Sequence, residues 1–391
     1  MLDLDRDLEF RPDQEAEFFS RLPSRPAVCL IQSRTAGAEP HLLRTLDLRR
    51  RLERLLGPPE PASRRLNLRE FAAQVRYREA GSAFELALAY YQNAKLLFPN
   101  RYRDLTRLRP AAVLKINLHS SYPRCFTTRR IAVNERGEPA SGAYYGPFPS
   151  RRAAEAFADR ILDFFKVRRC QIRIRRDPTF PGCLYSEMKM CLAPCFAGCS
   201  KQEYDVEVGR LVGFLDSRGG SMRQALGAER ETASRQLDFE KAAQIHKKLE
   251  KLDDALRMQP ELVRRIQDLD AVILQRAAEP QSILLFVSRA GRLAEPFALQ
   301  FQATGKPASA EETVRDYLES VFAAAPIGNP NLRQGSLELG EHLGLISRWF
   351  YSHPREGEIF LRDKEWPYRK ILRACARLLI RNGPGLAGES S

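Results

Sequence analysis

The spacing of apolar and polar residues changes along the chain, and the period indicates the element. Early on, Glu15 to Arg21 has the spacing of a short helix, and Ala27 to Gln32 is an apolar run of strand length. Leu42 to Leu56 sets leucines among arginines and predicts a basic helix. Gly57 to Ser63 reads as a turn or short linker. Phe71 to Arg78 alternates like a strand, and Ala83 to Phe98 is a long apolar helix that has to end before Pro99. This mixture predicts a small α+β domain over 15–105.

Two short strands follow, Ala112 to Asn117 and Cys125 to Asn134, the second closed by a turn at Asn134 to Gly137. Ser150 is placed to cap a helix whose apolar face runs from Ala153 to Phe165. Periodicity then gives way to a Cys- and Pro-containing loop over 166–200. Lys201 to Met258 is helical and charged, with a break from Arg218 to Ser221 at which Ser221 is the expected cap, and Pro260 stops the run. Beyond it, Ala271 to Gln275, Ser282 to Val287 and Phe297 to Gln302 read as strands. Ala310 to Phe322, Gly340 to Tyr351 and Tyr368 to Ile380 read as helices, and the tail from Asn382 is expected to be disordered. The fold class expected is α+β and multidomain, with units at 15–105, 106–200, 201–258 and 262–380.

Charge narrows the partner. Across 391 residues, 63 Lys and Arg stand against 49 Asp and Glu, a net charge of +14, which suits a polyanion such as nucleic acid. No apolar run approaches the ~20 residues that span a bilayer, and Met1 to Phe10 lacks the apolar stretch of a signal peptide. No membrane partner is expected, and the cytoplasm is the expected compartment. Thiols stay reduced there, so clustered cysteines point to metal rather than to disulfides.

Five of the eight cysteines fall close together: Cys170, Cys183, Cys191, Cys195 and Cys199. Thiolates are soft ligands that take zinc or an iron–sulfur cluster. Composition separates neither the metal nor which four of the five bind. Further on, apolar residues at 242, 245, 249, 252 and 256 form a narrow seam on a charged helix. That seam fits docking on a second hairpin, or an internal arm packed on the rest of the chain.

Three segments in order resemble the UvrC family of excinuclease subunits. They are Tyr144-Tyr-Gly-Pro-Phe-Pro-Ser150, then Arg168-Arg169-Cys170 with Gly182-Cys183 and Met190-Cys191-Leu-Ala-Pro-Cys195, then Leu237-Asp-Phe-Glu-Lys-Ala-Ala243. The last is similar to the UVR motif. A fainter likeness continues from Asp268 to Leu293, while 323–391 resembles nothing placed. The resemblance implies an iron–sulfur cluster on Cys170, Cys183, Cys191 and Cys195, with zinc as the alternative and Cys199 as an extra. It also implies docking to a UvrB-type partner through Phe239, Ala242, Ala243, Ile245, Leu249 and Leu252.

It further implies a GIY-YIG nuclease domain over 15–105, but a degenerate one. Cys29 stands where the family has a tyrosine, and the second tyrosine and glycine are missing around His41 to Arg44. Tyr90 replaces the metal-holding glutamate, and Arg103 replaces an asparagine. Only Arg51 matches a catalytic position. Without a carboxylate a Mg²⁺ ion has no anchor, so Mg²⁺ is expected only if the domain still cuts. Arg49, Arg50 and Arg51 remain candidates for DNA contact. No segment matches the aspartate-bearing strand of the family's second nuclease. The function expected is a repair protein that binds DNA and a UvrB-type partner without cutting. The rivals are an active endonuclease using Arg51 with Glu85 or His41, and a metal-cluster scaffold or regulator.

Overall fold

The computed structural model describes residues 2, 4–59, 65–301, 307–324 and 331–380. Among the described residues it is an α+β protein with three antiparallel sheets, each backed by helices, and a helical hairpin packed on the middle core. The expected linker at 57–63 lies partly, and the expected disordered tail wholly, outside the described residues.

The first sheet contains β1 (Arg6–Glu9), β2 (Ala27–Ser33), β3 (His41–Thr45) and β4 (Ala72–Glu79), in the order β1-β4-β2-β3. Its helices are α1 (Glu15–Ser20), α2 (Leu48–Leu56), α3 (Ala83–Leu97) and α4 (Tyr102–Thr106). Alternation along β2 divides its side chains between two cores. Val28 and Leu30 face α3, whereas Ala27, Cys29 and Ile31 join the leucines of α2. The helix expected from Leu42 is therefore a strand first. Leu42 and Leu43 sit opposite Leu30 and Cys29 in the ladder, and Asp47 caps a helix that starts only at Leu48. Leucine spacing was common to both readings, and the pairing with β2 decides between them.

The middle sheet has β5 (Ala112–Ile116), β6 (Cys125–Thr128), β7 (Ala143–Phe148) and, from much later in the chain, β8 (Arg264–Arg265). The strand expected from Cys125 to Asn134 stops at Thr128, and only a Val133–Pro139 bridge continues it. Ser150 caps α5 (Arg151–Leu162) as expected, accepting from the Ala153 N–H at 3.1 Å. A single-turn α6 (Leu184–Glu187) interrupts the cysteine-rich loop, and α7 (Lys201–Asp216) closes over the same core.

The hairpin is α8 (Gly220–Arg235) and α9 (Phe239–Arg257). Ser221 is not its cap. Gly219 holds that place at φ +84°, where a Cβ would lie 2.5 Å from the Leu256 side chain, so glycine both permits the turn and admits the end of α9.

The last sheet comprises β9 (Ala271–Arg276), β10 (Ser282–Arg289), β11 (Arg292–Leu293), β12 (Phe297–Gln300) and β13 (Glu358–Leu361). On one face it packs against α10 (Pro307–Ala323) and α12 (Tyr368–Ile380). On the other it shares a core with α3 and α11 (Leu332–Phe350). The segment without a recognisable relative is thus built into the molecule: α11 lies against α3 and β7, and β13 completes the sheet edge.

Candidate functional site

Three places bear on function: the α2–α3 face of the first domain, the cysteine loop and the hairpin.

In the first domain the expected catalytic positions do not form a metal-binding set. Cys29 is buried between strands, and burial drives its thiol pKa far up. Tyr90 is buried on α3, with the Arg44 guanidinium 5.3 Å from its ring centroid. Cation–π packing thus occupies the position at which the resemblance implies a metal-holding glutamate. Glu85 is the nearest acid in sequence, but it serves the start of α3. It accepts from the Gly81 N–H at 2.7 Å and faces Arg78 at 3.5 Å, and burial lifts its pKa to about 7. His41 heads β3, half-buried, with its pKa lowered by burial. Of the basic run, Arg49 donates to the carbonyls of Leu22 (2.7 Å) and Ser20 (3.1 Å), so it ties α2 to α1 rather than facing solvent freely. Arg50 is exposed and Arg51 half-buried.

Next to Tyr90, a buried network that sequence reasoning did not find joins this domain to α11. Glu341, 1% exposed, accepts from the hydroxyls of Tyr91 and Tyr102, both at 2.8 Å, and from Arg103 Nε at 3.2 Å. Lys95 reaches Glu338 one turn earlier at 2.8 Å. His342 accepts the Leu293 N–H through Nδ1 at 3.0 Å, and burial pushes its pKa down to about 4. In the sequence, Glu338, Glu341 and His342 are polar positions like several others on this helix, and nothing there marks them out.

The cysteine loop is organised by Arg168, which is itself buried. Its guanidinium donates to the carbonyls of Tyr122 (2.8 Å), Cys170 (3.1 Å) and Ile172 (3.0 Å), and one nitrogen lies 3.9 Å from Cys170 Sγ. Burial pushes the Cys191 thiol up to about 11. The Ala193 N–H, 3.3 Å from its sulfur, opposes that rise, and the charges of Cys170, Cys195 and Cys183 add to it. Cys195 is raised by burial too, and it feels Cys183 and Cys170. Four thiols therefore lie within electrostatic reach of one another. Cys199 lies to the side, buried against the middle core, and of the others Cys195 alone contributes to its shift. Among the described residues no three His, Cys, Asp or Glu side chains stand ready-made in ligating geometry. The donor chemistry, all sulfur, suits a soft metal, whose binding has to displace thiol protons.

In the hairpin, Ile245 is 2% exposed and Leu252 0%, and Leu249 and Leu256 lean on the middle core. The seam thus turns inward, which is the internal packing weighed above, and Arg223 on α8 meets Asp253 on α9. Ala242 is half-buried and Ala243 exposed. What remains open at the tip is Leu237 and Phe239, 72% and 66% exposed.

Residues 111–214, from β5 through most of α7 and including all five clustered cysteines, match the family described as UvrC/Cho excinuclease, middle domain. The chain is similar to the UvrABC system protein C of Desulforudis audaxviator, 28% identical over 69% of this chain and 42% of that one. It is also similar to that of Carboxydothermus hydrogenoformans, 29% over 71% and 44%. A third, from Ruminiclostridium cellulolyticum, is 32% identical over 46% of this chain and 28% of its own length. These matches span less than half the length of each relative. No solved structure matches the chain.

Proposed function

We propose that this chain, which is a UvrC-family protein, serves nucleotide excision repair by binding DNA and a UvrB-type partner without cutting DNA itself. The observation that carries this is the pairing of Tyr90 with Arg44. A buried phenol, its pKa raised by burial, offers a divalent ion no carboxylate, and the guanidinium beside it sets a positive charge there. Glu85, hydrogen-bonded to the backbone and facing Arg78, supports the same reading against a working endonuclease. On this account the first domain is a degenerate GIY-YIG fold, and Arg50 and Arg51 give it a phosphate-facing edge.

In this proposal Cys170, Cys183, Cys191 and Cys195 hold an iron–sulfur cluster, with zinc as the alternative. When bound, the group supplies a rigid cross-link for a loop that has little secondary structure of its own. Arg168 orients that loop by gripping the carbonyls of Cys170 and Ile172. The hairpin meets its partner with its tip, through Leu237 and Phe239, because Ile245, Leu249 and Leu252 already pack inward.

The test is affinity for a purified UvrB-type protein, measured by titration with wild type and with a Leu237→Ala/Phe239→Ala double variant. A loss of about tenfold or more is expected for two exposed apolar anchors, with unchanged thermal unfolding. Equal affinity of the two proteins would refute docking by the tip.

A further inference from the structure

A second basic feature lies away from both the hairpin and the cysteine loop. A cleft of about 530 Å³ opens where the α4–β5 connection, the start of α5 and the last turns of α11 meet. Four arginines line it, Arg107, Arg109, Arg129 and Arg348, and no acidic residue does. All four are exposed. Among the described residues none of them has a carboxylate partner, and Arg129 touches only the Pro110 carbonyl, at 3.2 Å. Four like charges held together without a counter-charge repel one another, and an anion relieves that repulsion.

The floor of the cleft is built to fixed geometry. Gly344 on α11 lies so close to the α4–β5 connection that a Cβ would sit 2.5 Å from the Arg109 carbonyl oxygen. The Ala111 N–H donates to the Gly340 carbonyl at 3.3 Å. Arg109 and Arg348 are therefore carried on segments in backbone contact. The rim adds the N-terminus of α5, a helix of 12 residues whose Ala153 N–H is already taken by Ser150 and whose dipole favours negative charge.

We propose that this cleft binds a phosphate group. Guanidinium forks match the oxygens of a phosphate two at a time, and several of them suit a dianion better than a single carboxylate. The volume is that of a small-ligand site. Two sources carry such a group: the terminal phosphate of a nucleic-acid strand, and a free phosphate compound such as a nucleotide. The site lies partly on α11, outside the 111–214 family match, and it does not depend on whether the first domain cuts.

The experiment uses the full chain with two probes. One is inorganic pyrophosphate, followed by calorimetry. The other is a short single strand carrying a 5′-phosphate or a 5′-hydroxyl, followed by fluorescence anisotropy. The variants are Arg129→Ala/Arg348→Ala and, as a charge control far from the cleft, Arg54→Ala; circular dichroism verifies folding. The expected result is saturable binding that weakens about tenfold or more in the double variant, from the loss of charge-assisted bonds, and that survives Arg54→Ala. A preference for the 5′-phosphate that disappears in the double variant assigns the site to a strand end. Pyrophosphate binding without that preference assigns it to a free phosphate compound. No saturable binding of either probe, or binding that falls equally with Arg54→Ala, overturns the proposal.

Discussion

Glu341 offers the sharpest test of how the first domain is held. Its carboxylate is 1% exposed and takes three donors, the hydroxyls of Tyr91 and Tyr102 at 2.8 Å and Arg103 Nε at 3.2 Å. Burial first, and then the charge of Glu341, raises the Tyr91 pKa, so that phenol remains a donor. In Glu341→Ala two buried hydroxyls lose their acceptor, at about 1–3 kcal/mol each. Arg103 is half exposed and adds little, because water replaces its partner. The expected loss is therefore about 2–6 kcal/mol. Glu341→Gln keeps the volume and one acceptor oxygen and should lose about 1–2 kcal/mol. Trp349, on the same helix, reports locally once the other tryptophan, Trp366, is changed to Phe in both proteins. Urea unfolding followed by its fluorescence should show Glu341→Ala shifted down by about 1 M or more, with a slope typical of domains this size. An alanine variant within about 0.5 kcal/mol of its parent would mean that the network does not hold α3 and α4 to α11, and the reasoning would fail.

Other outcomes follow from the same contacts. Glu85, raised to about 7, contributes stability at low pH that is lost as pH climbs from its ordinary value, 4.5, through 7. His342, lowered from 6.5 to about 4, contributes stability above pH 6.5 that is lost as pH falls through 4. The two oppose each other across one window, so Glu85→Gln should expose a clear loss of stability on acidification from pH 7 to 4, on the order of 3 kcal/mol; an unchanged pH profile in unfolding titrations would refute both assignments. Arg168→Ala removes two bonds to loop carbonyls and the one that ties them to Tyr122, and hydrogen exchange over 170–177 should accelerate by tenfold or more, at about 1.4 kcal/mol per decade; unchanged protection would sink that role. Leu252→Ala opens a hole in the middle core and should lower stability by about 2–5 kcal/mol, whereas Phe239→Ala, at an exposed tip, should stay within about 0.5 kcal/mol of wild type.

Much of this was legible in the residues, and the exceptions have physical causes. The strands at Ala27, Ala112, Ala271 and Ser282 and the helices at Ala83 and Tyr368 began where their apolar periods begin. The stretch from Leu42 misled because its leucines fit a helix and a strand alike until the partner strand is known. Ser221 lost the cap to Gly219 because a positive φ and the approach of Leu256 outweigh capping chemistry there. At the sites, cysteine spacing pointed to one loop. The electrostatic grouping of four thiols, with Cys199 apart, needs coordinates, as does the inward turn of the hairpin seam. Nothing in the sequence placed Glu341 between two tyrosines some 240 positions away, or four arginines from three segments around one cleft, because such groupings arise only from long-range contacts.

The central claim is that the first domain binds without cutting. It is met most directly by an incision assay on a duplex with one lesion, with UvrA and UvrB proteins, ATP and Mg²⁺ supplied, comparing wild type with Arg51→Ala. The account predicts no nick from either protein, while both still join the UvrB–DNA complex. A nick made by wild type and absent with Arg51→Ala would contradict it and return the domain to the working nucleases.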